Sequence, residues 1–102
     1  MAIADRVTAA EIGKTYAETI RDEAGPKQLW MRSYRDYVEL WLVVEPIEHD
    51  AELRLYAAED AIYDRFPEAS VRLHILNPRH FRAFEPAAIL PPGAEEIALR
   101  AQ

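Results

Sequence analysis

The sequence predicts an α/β fold of the α+β kind, a two-layer sandwich with a mixed sheet and helices on one face. Three observations carry this. Ile12, Tyr16 and Ile20 recur every fourth residue, as on one face of a helix. Val38, Leu40, Leu42 and Val44 form one face of a run that is apolar on almost both sides, as in a covered central strand. An amphipathic stretch then leads to a further alternating run, which makes a strand–helix–strand unit. The predicted order is α-β-β-α-β with a weak final strand, all within one domain spanning residues 1–102.

The first element is a helix. Thr8 and Glu11 have the spacing of a capping box, and Gly25-Pro26 stops the chain from continuing helically. In the next segment Leu29, Met31 and Ser33 alternate with Trp30, Arg32 and Tyr34, giving a first strand. A tight turn through Tyr34 to Tyr37 leads into Val38–Val44. Beyond Pro46, Asp50 is the expected N-cap of a second helix, with Glu52 in its first turn. Ala51, Leu55, Ala58, Ile62 and Phe66 make one apolar stripe, so a single helix is expected up to Pro67. Val71, Leu73 and Ile75 alternate with Arg72, His74 and Leu76 in a third strand ending at Asn77-Pro78. A helix between two strands makes them parallel and the crossover right-handed. Phe81 and Phe84 are expected to pack a short turn on the core, and Glu96 to Arg100 to form a short edge strand with Ile97 and Leu99 inward.

Composition excludes several functions. With 12 Lys plus Arg against 18 Asp plus Glu the formal charge is −6, which argues against general DNA binding. The absence of Cys excludes disulfides, thiolate metal sites and a cysteine nucleophile. No apolar run reaches the roughly 18 residues of a membrane span, and no signal-peptide pattern is present, so a cytoplasmic protein with no membrane partner is expected. The only serines, Ser33 and Ser70, lie in no nucleophile elbow, and the glycines, Gly13, Gly25 and Gly93, make no phosphate loop. His49, His74 and His80 lack metal-ligand spacing, so no metal and no cofactor is expected.

Two groups of residues remain as candidates. Residues 69–84 hold Arg72, Arg79, Arg82, His74 and His80 and no acid, a basic edge on an acidic body. Such an edge suits an anionic small molecule or an acidic segment of a protein partner, because Arg presents a planar fork to such groups. The competing reading pairs these cations with Glu59, Asp60, Asp64 and Glu68 of the crossover helix. The second group is Trp30, Tyr34 and Trp41, on a sheet face that helices leave open, which would serve a homodimer interface. Interleaved with Arg32, Arg35 and Tyr37, these aromatics also have the look of a base-stacking surface, but the acidic charge opposes nucleic acid. A small transferase or hydrolase using Asp36, Glu39 and a His is the enzymatic alternative, with no recognised motif behind it.

Residues 28–100 resemble a minimal nucleotidyltransferase domain. Leu29-Trp30-Met31-Arg32-Ser33 resembles that family's first strand, and Val38-Glu39-Leu40-Trp41-Leu42-Val43-Val44 the strand after its acidic pair. Val71 to Phe81 resembles the third strand and its turn, and Ala88 to Leu99 the last short strand. The family's Gly-Ser and paired Asp residues are not kept. Arg32 precedes Ser33, and Glu39 stands alone with Tyr37 at its partner position. Since two carboxylates are needed to hold the divalent metals, the resemblance implies a degenerate, non-catalytic relative that binds a partner protein or an anionic ligand. Residues 38–78 also resemble the ferredoxin-like cytoplasmic domain of cation-efflux transporters, through Phe66-Pro67 and His74. That resemblance implies a homodimeric interaction domain. The family's other metal-binding histidines fall on Trp41 and Arg54, so metal binding does not carry over.

Overall fold

The computed structural model describes residues 6–81 and 85–99. It has the α+β architecture expected, with a four-stranded mixed sheet. The elements are α1 (Arg6–Thr19), β1 (Pro26–Ser33), β2 (Val38–Val44), α2 (His49–Ala57), α3 (Asp60–Arg65) and β3 (Val71–Leu76). A 3-10 turn (Pro78–His80), the single-turn α4 (Pro86–Ile89) and β4 (Glu95–Ile97) follow. The strand order is β3-β2-β1-β4. β2 runs parallel to β3 and antiparallel to β1, and β4 is antiparallel to β1.

The main core lies between the sheet and α1 to α3. Val38, Leu40, Leu42 and Val44 of β2, all at most 1% exposed, meet Ile12, Tyr16 and Ile20 of α1 and Leu55 and Ile62 of the crossover. Each of these residues sits on the face that its period assigns it. Ile97 pairs with Leu29 and packs on the same core, where Gly13 admits it closely: a Cβ at Gly13 would stand 3.1 Å from Ile97 Cγ1. The Tyr34–Tyr37 turn is closed by a 2.8 Å bond from Tyr34 N–H to Tyr37 C=O. It lacks glycine and is held instead by a stack: Arg32 lies 4.9 Å over Tyr34, Tyr34 lies 4.6 Å from Tyr37, and Arg72 lies 4.1 Å over Tyr37.

Several expectations are corrected. Thr8 lies inside α1, which already includes Arg6 and Val7, because neither residue breaks a helix. α2 starts after Glu48, whose extended backbone makes it the N-cap, and Asp50 falls in the first turn. The crossover is two helices, broken at Ala58 and Glu59. There the Glu59 N–H donates to Tyr56 C=O instead of reaching Leu55 C=O. The buried Tyr16 hydroxyl donates to that Leu55 carbonyl at 2.8 Å, so a side chain of α1 satisfies the group the break leaves open. Phe81 is 39% exposed and not part of the core, because the 3-10 turn directs it outward; Arg82, Phe84 and Arg100 lie outside the described residues.

Burial drives the Tyr16 hydroxyl pKa far above its ordinary value. A pKa raised on folding gives stability that is intact below pH 10.0 and lost as pH rises beyond it. Tyr16→Phe is therefore expected to cost about 1–3 kcal/mol at neutral pH, from the orphaned carbonyl. It should also remove part of the alkaline loss. Urea unfolding at pH 7 and pH 10.5 tests both; an unchanged midpoint at pH 7 would show that water replaces the hydroxyl.

Candidate functional site

The basic run divides into two groups, because strand alternation and the turn after β3 send its side chains in different directions. Arg72 and His74 stand on the sheet face opposite the helices. Register places Arg72 beside Glu39, and His74 beside Trp41. His74 Nε2 is hydrogen-bonded to Glu39, and its ring stacks on Trp41 with centroids 5.8 Å apart. Glu39 is thereby engaged by a histidine, and Tyr37 is engaged by Tyr34 and Arg72.

Arg79 and His80 stand instead on the 3-10 turn, at the carboxyl ends of the parallel strands β2 and β3. Open α/β sheets collect ligands at such ends. Arg79 Nη1 lies 2.7 Å from Glu48, and His80 Nε2 lies 3.0 Å from Glu52. Behind them is Asn77, 1% exposed. Its Oδ1 accepts from Ile47 N–H at 3.3 Å and from Arg79 N–H at 3.2 Å. Its Nδ2 donates to Ile47 C=O at 3.0 Å and to Glu52 at 2.9 Å. One amide thus fastens the loop after β2 to the turn after β3 and orients the carboxylate that holds His80. A cleft of about 790 Å³, bordered by Lys27, Gln28, Val43, Glu45, Pro46 and Pro78, opens beside the turn.

Among the described residues no hydrogen bond or ion pair joins the two groups, so the basic residues of this edge stand in two clusters. Nor do Glu59, Asp60, Asp64 or Glu68 pair with Arg72, His74, Arg79 or His80; the partners are Glu39, Glu48 and Glu52. Asn77 and Glu52 were not singled out by sequence. The Asn-Pro pair reads as a strand stop, although Asn before a 3-10 turn is also the signature of a side-chain cap.

The expected open aromatic face is also corrected. Trp41 is 5% exposed and Val43 4%, and with Leu76 and Trp30 they form a second cluster under Leu90 and Ala94. Arg32 donates to Pro92 C=O beside it. The closing segment therefore covers from within the chain what an interface was expected to cover. Tyr34 lies in the turn stack, half-buried.

The hydrogen bond from Asn77, with further support from His80, holds the Glu52 carboxyl below the ordinary carboxylate value of 4.5, against the opposing effect of burial. A lowered pKa gives stability that is present above 4.5 and lost as pH falls through the folded value. Glu52→Gln is expected to flatten the acid limb of the stability profile below pH 4.5, measured by thermal melts from pH 3 to 7. An acid limb of unchanged slope would assign that limb to other carboxylates. Among the described residues no group of three or more His, Asp or Glu has a metal-binding arrangement, and no helix is long and apolar enough to cross a membrane. No protein-family model, curated protein or solved structure matches the chain.

Proposed function

We propose that this chain is a binding domain of nucleotidyltransferase-like organisation that does no nucleotidyl transfer and takes an acidic group of a partner protein on its basic β3 side. The observation that carries this is the presentation of the cations. His74, Arg79 and His80 keep 45%, 49% and 60% of their side-chain surface exposed, and Arg72 is exposed too. Of their internal partners, Glu48 is the exchangeable one, while Glu39 and Glu52 are largely buried. The Arg79–Glu48 pair has Glu48 82% exposed, and a pair of that kind is worth about 0–1 kcal/mol. An incoming carboxylate can therefore displace Glu48 at little cost and use the Arg79 fork. The engagement of Glu39 with His74 and of Tyr37 with its stack supports the non-catalytic part, since neither position then offers a second metal-binding carboxylate.

The test is an NMR titration with a capped, glutamate-rich peptide, with the Arg79→Ala/His80→Ala double variant beside it. The parent protein should show perturbed Arg79 and His80 signals, and the double variant should bind roughly tenfold more weakly. No perturbation at millimolar peptide would reject the basic side as a binding surface. Turnover of a nucleotide with Mg²⁺ would reject the non-catalytic part.

A further inference from the structure

β3 is an outer strand of the sheet, so one row of its backbone groups faces away from β2. Val38 N–H donates to Ser70 C=O at 2.9 Å, which fixes the phase of the parallel β2–β3 ladder. Ser70, Arg72, His74 and Leu76 therefore turn their backbone groups toward β2, and Val71, Leu73 and Ile75 turn theirs outward. The Tyr63 hydroxyl donates to Glu59 Oε2 at 2.9 Å and lies 3.4 Å from Val71 C=O. Among the described residues, no hydrogen bond reaches the outward N–H and C=O groups of Leu73 and Ile75. Two donors and two acceptors thus alternate along a strand fixed by the burial of Ile75 and by the packing of Leu73 on the core. Such a row is a template for one more strand.

The charge beside this row selects the occupant. Arg72 and His74 are both exposed, two residues apart, on the sheet face opposite the helices. In a body of net charge −6, the stretch 69–84 contains no acid. A second copy of the chain would bring the same basic residues to the edge, and a two-fold pairing about Leu73 would set Arg72 against the other copy's His74. An extended segment with acids at alternate positions brings the opposite charge: its backbone completes the ladder while its carboxylates line up with Arg72 and His74, where they compete with Glu39 for His74.

We infer that β3 binds an extended, acidic segment of a partner protein by strand addition, with Leu73 and Ile75 supplying the backbone bonds and Arg72 and His74 the charge selection. This rests on the binding role proposed above and specifies its mode.

The probe is the capped heptapeptide Thr-Glu-Val-Glu-Val-Glu-Thr, together with two versions, one N-methylated on both valine amides and one on the second and third glutamate amides. A strand presents only every second amide to its neighbour. One methylated peptide should therefore lose about tenfold or more in affinity while the other keeps it, and the loser reports the strand direction. At saturation the Leu73 and Ile75 amides should exchange with solvent about tenfold or more slowly. If Arg79 and His80 respond but those two amides do not, and both methylated peptides bind like the parent, strand addition is overturned and the basic surface stands. If nothing responds at millimolar peptide, the binding role itself falls. If Leu73 and Ile75 are protected without peptide in a sedimenting dimer, the occupant is a second copy and the acidic-segment assignment is overturned.

Discussion

Asn77→Ala is expected to lower the stability of the fold by roughly 3–5 kcal/mol. The substitution removes four hydrogen bonds at once: to Ile47 N–H, Ile47 C=O, Arg79 N–H and the Glu52 carboxylate. Ile47 is 9% exposed, so its two backbone groups lose their partners where water enters poorly. The loss is read from the midpoint of urea unfolding. The His80 ring should also lose its fixed orientation, since Glu52 is positioned by the same amide, and its NMR line should shift toward that of a free imidazole. A cost below about 1 kcal/mol would mean that a water molecule takes the place of the amide.

Gly25→Ala is expected to cost about 2–4 kcal/mol. Gly25 has φ +115°, a backbone conformation that side chains rarely tolerate, and a Cβ there would stand 2.8 Å from Ile47 Cγ2. Its carbonyl also accepts from Glu45 N–H at 2.8 Å, so the strained residue cannot relax without giving up a bond to the end of β2. Asn77 thus holds Ile47 by its backbone, and Gly25 lies against its side chain. Their combined variant should deviate from additivity, because once one constraint on Ile47 is lost the other has less to hold. Denaturant melts of the two single variants and the double variant measure this. Strict additivity would show that Ile47 does not couple the two.

The parts of the fold that were legible in the sequence are those where one residue's type and period decide its environment. Ile12, Tyr16 and Ile20 could face only the core, and Val38–Val44 could lie only in a covered strand, because a one-residue slip would expose the whole set. The edge strand was legible in Ile97 for the same reason, although it runs Glu95–Ile97 instead of Glu96 to Arg100, and the β1–β2 turn followed from the two runs it joins. The break at Ala58 and Glu59 was not, since both residues favour helix and no glycine or proline marks the place. What permits the break is the Tyr16 hydroxyl, 39 residues away from Leu55 in the chain. The site was legible as a composition but not as a shape. An acid-free run shows where cations cluster, whereas the separation of Arg72 and His74 from Arg79 and His80 depends on where β3 ends. The partners Glu39, Glu48 and Glu52 come from segments that only the fold brings near. The covering of Trp41 by Leu90 and Ala94 was illegible because a loose, proline-rich segment has no period to assign it a face.

The short β4 strand has a kinetic consequence. It joins the sheet through three residue pairs with β1, from the far end of the chain, whereas β1 and β2 are joined through a turn of four residues. The hairpin closes a small loop and can zip early; β4 closes a large one and gains little for it. Transient detachment of β4 would bare the Leu29 to Met31 margin of β1 while the rest of the sheet stays paired.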